Sequence, residues 1–155
     1  MSTWQDQFAE HLPRLGHRNW IVIADAAYPE QSAPGVTMVI ANSPIDEVLR
    51  IVLCSIHESA HVLPKVFLDR ELGFLTDDLC PGVNALRSSI RFETGQLQCS
   101  EGAHDLILEK LNMEGANYSV LVIKTNTMIP YTSVFLQLEC GYWDSDRERI
   151  FREAL

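Results

Sequence analysis

The sequence predicts one three-layer α/β domain, residues 1–155, built on a mostly parallel sheet. Three observations carry that expectation. Apolar, β-branched runs alternate with helical spacing from one end of the chain to the other. The run Trp20-Ile21-Val22-Ile23-Ala24 is continuously apolar, as in a parallel strand covered on both faces. At 155 residues without an internal repeat, the chain has the size of one domain with one core.

The elements follow in order. Trp4, Phe8, Leu12 and Leu15 have helical spacing, Ser2 or Thr3 can cap the first turn, and Pro13 limits the length. Gly16 suits the position after a helix, and the strand that follows ends at Asp25. Val36 to Ala41 reads as a short strand. Ser43-Pro44 with Asp46 and Glu47 then offers a cap, a first-turn proline and acidic first-turn residues for a helix to about Ile56. His61 to Leu68 reads as a strand, Pro81-Gly82 introduces a helix to about Phe92, and Gln96 to Cys99 is a brief strand. Ile107, Leu108 and Leu111 mark a helix over 103–114, stopped by Gly115. Tyr118–Ile123 and Ser133–Leu138 are the last strands, and an exposed charged helix begins near Asp144.

Composition excludes several function classes. A net charge of −9 with scattered Lys and Arg repels phosphate backbones and anionic bilayers, so neither nucleic acid nor a membrane is an expected partner. No run reaches the eighteen or so apolar residues of a membrane span, and Ser2, Gln5 and Asp6 do not begin a secretion signal, so a cytoplasmic location is expected. Cys54, Cys80, Cys99 and Cys140 lack paired spacing and are expected as buried, reduced thiols.

Chemistry concentrates at four places. In parallel sheets ligands bind beyond the carboxyl ends of strands, which directs attention to Asp25 and to the loop from Lys124 to Ser133. Asp25 reads equally as a loop turn or a site residue, and His17 on its own reads as a capping or surface histidine. Asp25 comes eight residues after His17, a distance of roughly 25 Å when extended, so they meet only if the chain folds back or a second subunit intervenes. His57-Glu58-Ser59-Ala60-His61 matches the zinc-protease pattern, which requires both histidines on one continuous helix. Pro64 biases Leu63 towards extended geometry, so the helix is expected to end before His61 and no metal site is predicted. His104 and Asp105 read as an exposed first-turn pair. The hydroxyl- and amide-rich segment Lys124 to Ser133 reads either as a turn or as hydrogen-bonding surface for a polyhydroxylated ligand, with Tyr131 adding an apolar face.

Leu15-Gly16-His17, then Ile21-Val22-Ile23-Ala24-Asp25-Ala26 and Tyr28-Pro29, resembles the amino-terminal signature of the D-ribose pyranase and L-fucose mutarotase family. Pro130-Tyr131-Thr132-Ser133 followed by Val134-Phe135-Leu136 is similar to its carboxyl-terminal signature. The resemblance implies an isomerase that interconverts anomers, or pyranose and furanose forms, of a free monosaccharide of the fucose or ribose kind. It implies His17 as catalytic acid/base, with Asp25, His104, Tyr131 and Ser133 binding the sugar. It further implies a homo-oligomeric ring, a decamer being one such form, with sites at subunit contacts. The chain departs from the pattern at Ser133, where the family commonly has Asn, and in a longer loop around Thr125 to Ile129.

Ring opening removes the anomeric hydroxyl proton and protonates the ring oxygen, and an imidazole with an ordinary pKa near 6.5 suits both transfers. Free sugars already mutarotate slowly in water, so no cofactor is expected. The alternative from another class is a non-catalytic monosaccharide-binding or transport-associated module using the same residues.

Overall fold

The apolar run Trp20–Ala24 forms β1, buried along its whole length. In the computed structural model, which describes all 155 residues, five further strands join it: β2 (Val36–Ile40), β3 (Val62–Asp69), β4 (Cys99–Gly102), β5 (Val120–Lys124) and β6 (Val134–Cys140). They make one sheet in the order β2-β5-β1-β6-β3-β4. β5 pairs parallel to both β1 and β2, and β3 parallel to β4, whereas β6 is antiparallel to β1 and β3. Five strands therefore point one way and β6 alone points back.

Alternation along the central strands sorts the core into two layers. Ile21 and Ile23 of β1, with Val134, Leu136 and Leu138 of β6, face a cluster of 24 buried residues. That cluster draws on the helices α1 (Trp4–His11), α2 (Ile45–Ser59) and α3 (Val83–Thr94). Trp20, Val22 and Ala24, with Phe135, turn to the opposite face and pack on Ile107 and Leu111 of α4 (His104–Gly115). The period of two in a strand thus gives helix, sheet and helix layers, as the sequence predicted. The last helix, α5 (Ser145–Glu153), is capped by Asp144 and buries none of its residues.

Several boundaries differ from expectation for identifiable reasons. α1 starts at a capping box between Thr3 and Asp6, and the chain tightens into a 3₁₀ turn at Leu12–Arg14, where Pro13 falls. Ser43 does not cap α2; the Thr127 hydroxyl accepts the Ile45 N–H at 2.9 Å, so the cap comes from a distant loop. α2 runs to Ser59, three residues past the expected end, and Ala60 closes it in the left-handed region at φ 63°. His61 accordingly lies off the helix, and its Nε2 bonds the Leu15 carbonyl oxygen at 2.9 Å, so His57 and His61 share no helical face. β4 begins at Cys99 instead of Gln96, because its weak apolar pattern leaves register to pairing with β3, where Val66 faces Cys99.

The cysteines correct an expectation. All four are free, but Cys54 and Cys99 are exposed and Cys80 and Cys140 only half-buried. Cys54 falls outside the α2 stripe of Ile45, Val48, Leu49, Val52 and Ile56, and Cys99 opens an edge strand.

One close approach locks the end of β6 to the α2–β3 turn. The Gly141 N–H donates to the His61 carbonyl at 3.0 Å. A Cβ on Gly141 would overlap the Ala60 carbonyl oxygen and come within 3.0 Å of the Val62 nitrogen. Gly141→Ala is therefore expected to cost about 1–3 kcal/mol, read as a lower urea midpoint. An unchanged midpoint would show that the turn yields freely.

Candidate functional site

Reversal of β6 brings its beginning to the same sheet edge as the ends of β1, β3, β4 and β5. Asp25 follows β1, Asp69 closes β3, His104 opens α4 directly after β4, and Tyr131 and Ser133 precede β6. Asp25, Tyr28, His104, Leu108, Pro130 and Tyr131 line a cavity of about 340 Å³ at that edge. Of the five residues selected from sequence, Asp25, His104 and Tyr131 therefore share one cavity.

Asp25 is held from two sides. Its backbone N–H donates to the Ser133 hydroxyl at 3.0 Å, and that hydroxyl donates to Asp25 Oδ1 at 2.6 Å. Ser133 is buried and meets the cavity through this carboxylate. Thr125, also buried, donates to the Ala24 carbonyl at 2.7 Å, which ties the β5–β6 loop to the end of β1. Tyr131 occupies the left-handed region at φ 60°, a conformation costing about 1 kcal/mol or more in a residue with a Cβ. Thr132 holds the turn by donating to the Ile129 carbonyl at 2.7 Å. The Tyr131 ring meets His104 edge-on, with centroids 5.6 Å apart.

His104 is fixed twice. Its Nδ1 lies 2.8 Å from Asp69 Oδ2, and its backbone N–H points at both Glu71 carboxylate oxygens at 3.0 and 3.1 Å. α4 has no side-chain cap of its own at Ala103, so Glu71 satisfies one of the free donors of its first turn. Asp69 is 2% exposed, and its Oδ1 has no hydrogen-bond partner. Burial raises the Asp69 carboxyl to about 6, outweighing the opposing influence of His104, with the nearby Glu71 and Asp25 charges adding to the rise. Burial likewise raises the Tyr28 hydroxyl, opposed by its hydrogen bond with Gln31 and reinforced by Asp25.

Asp69 and Glu71 are the residues that the sequence reading did not select. The signal was available for Asp69, since it ends a strand as Asp25 does; Glu71 acts through a bond that spans 33 positions in sequence. His17 stands elsewhere. It is exposed in the turn before β1, at the opposite sheet edge from Asp25, and one chain does not bring the two together. Larger grooves of about 510 Å³ lie beside α1 and around the end of α2. The first offers mainly aliphatic and aromatic wall, and its His61 is already bonded to Leu15.

Fold and site together define a three-layer α/β protein with an acid/base cleft at its strand ends. No family model matches the chain, and no curated relative does. Solved structures do match. Bacillus subtilis RbsD, determined with D-ribose, superposes with a TM-score of 0.63 at 17% identity, covering 86% of this chain and 91% of that one. FucU from Bifidobacterium longum gives 0.60 at 18%, covering 86% and 92%. The fucose mutarotase of Streptococcus pneumoniae, in complex with L-fucose, gives 0.57 at 18%, covering 86% and 91%. The fold is that of the RbsD and FucU proteins, in agreement with the resemblance carried by residues 15–29.

The raised Asp69 carboxyl has a consequence for stability. Its folded pKa of about 6 lies above the ordinary 3.8, so the contribution is full below about pH 4 and is lost as pH rises through 6. From pH 4 to 6.5 the wild type should lose about 1–3 kcal/mol relative to Asp69→Asn, measured as the difference in urea unfolding free energies. A difference independent of pH would refute the raised carboxyl.

Proposed function

We propose that the chain acts as a single-domain isomerase that opens and recloses the ring of a free, uncharged monosaccharide of the ribose or fucose kind. The observation that carries this reading is the cavity in which the His104 imidazole, the Asp25 carboxylate and the Tyr131 ring converge. The fold shared with proteins determined in complex with D-ribose and L-fucose supports it. A carboxylate and a phenol pair sugar hydroxyls as acceptor and donor, and the Tyr131 face covers the apolar side of the ring.

In this reading the anomeric hydroxyl gives its proton to Nε2 of His104 as the bond from C1 to the ring oxygen breaks and the carbonyl forms. The ring oxygen gains a proton from His17 of a second copy. Rotation about C1–C2 followed by closure through the same or another hydroxyl reverses both transfers. Asp25 orients a sugar hydroxyl, and Ser133 holds Asp25. No electron transfer occurs, so the chemistry needs no cofactor. A ring of identical chains in the cytoplasm, a decamer among the possible sizes, would place the exposed His17 of one copy against the cavity of the next.

The test is NMR exchange between anomer and ring-form signals of ribose, fucose and a panel of free sugars. The wild type should accelerate exchange, and His104→Ala or His17→Ala should each reduce the rate by about 10²–10⁴. Coexpressed His17→Ala and Asp25→Asn chains should recover part of the rate, because mixed contacts rebuild intact sites. Sugar binding without faster exchange would identify a binding module instead, and absence of both would overturn the reading.

A further inference from the structure

Behind His104, away from the cavity itself, lies a buried carboxylate to which the proposed proton transfer gives no role. Asp69 closes β3 with its side chain fully buried, one oxygen 2.8 Å from His104 Nδ1 and the other without a partner. A desolvated carboxylate facing an imidazole nitrogen at that distance is stable as acceptor of an N–H. With Nδ1 carrying that proton, the neutral ring must leave Nε2 bare. The bonds from the His104 backbone N–H to Glu71 fix the main chain of the residue, and the Asp69 bond fixes the ring that it carries.

We infer that Asp69 is a positioning residue that locks His104 as the Nδ1–H tautomer and so makes Nε2 the proton-accepting atom of the cavity. This rests on the sugar-isomerase reading for its use, but the tautomer itself does not. In the step concerned, the anomeric O–H bond breaks and its proton forms the Nε2–H bond; the freed electron pair closes the carbonyl as the bond from C1 to the ring oxygen breaks, and the ring oxygen keeps that bond's pair and takes a proton from His17 of the second copy. The imidazolium thus formed stays bonded through Nδ1–H to Asp69, whose charge stabilises it at the moment it appears. The other groups facing His104 are Glu71, which takes its backbone N–H, Phe135 of β6, and Asp25 and Tyr131 across the cavity. None of these offers Nδ1 an alternative acceptor at bonding distance.

The experiment is 15N NMR of histidine-labelled protein at pH 7.5, read together with sugar exchange. The His104 resonances are assigned by their loss in His104→Gln. Wild type should show protonated Nδ1 and bare Nε2. Asp69→Leu keeps the volume and removes the acceptor from Nδ1, so the ring should move towards the Nε2–H form, with exchange falling about 10²-fold or more. A wild-type ring protonated at Nε2, or an unchanged tautomer in Asp69→Leu, overturns the assignment regardless of turnover. The wild-type spectrum alone decides the matter if the variant fails to fold. The correct tautomer in a protein that accelerates no sugar would overturn the isomerase reading and leave the positioning role standing.

Discussion

The backbone ladder between β6 and its neighbours β1 and β3 is the constraint on which the site depends. Trp20 to Ile23 of β1 run antiparallel to Gln137 to Val134 of β6, as do Val62 to Leu68 of β3 against Cys140 to Val134. A parallel strand in that position would begin at the opposite edge, taking Tyr131 and Ser133 away from Asp25. Because β6 runs backwards, a loop that enters it is delivered to the edge where the five other strands finish. Two side-chain bonds between Ser133 and Asp25 then fasten the first residues before β6 to the first residue after β1.

The same edge concentrates carboxylates. Asp25, Asp69 and Glu71 lie close enough that two of them raise the third, and burial adds the larger part. Such an arrangement opposes folding at neutral pH and is retained where a partner cation or a proton is exchanged. His104 gives Asp69 its hydrogen-bond partner from the first turn of α4, a helix held by Ile107 and Leu111 against Trp20, Val22 and Phe135. The position of one imidazole therefore rests on the packing of a whole layer. Tyr131, in left-handed geometry, is a second sign that local preference yields to the requirements of the cavity.

Much of the fold was legible because its signals are local. Unbroken apolar runs at Trp20–Ala24 and Val120–Ile123, the 3.6-residue stripe of α2 and the stop at Gly115 each express a period within a few turns of chain. Weak elements were displaced. The edge strand β4 takes its register from β3, and the start of α2 is capped by Thr127 from a loop 82 positions away. The buried state expected for the cysteines failed for a related reason, since burial belongs to a place on a face and not to a residue type.

For the site, Asp25 and the loop carrying Tyr131 drew attention as a strand end and a hydroxyl-rich segment, whereas His104, an exposed first-turn residue by its own pattern, was named only through the family resemblance. Their meeting in one cavity could not be selected, since it depends on strand order and on the reversed direction of β6. The bond between Asp69 and His104 is of the same kind: both residues are polar groups at element ends, and nothing in the chain pairs them across a separation of 35 positions. Periodicity specifies which face of each element is apolar, and hence the layers. Long-range backbone pairing specifies which ends become neighbours, and hence the chemistry that the ends can perform.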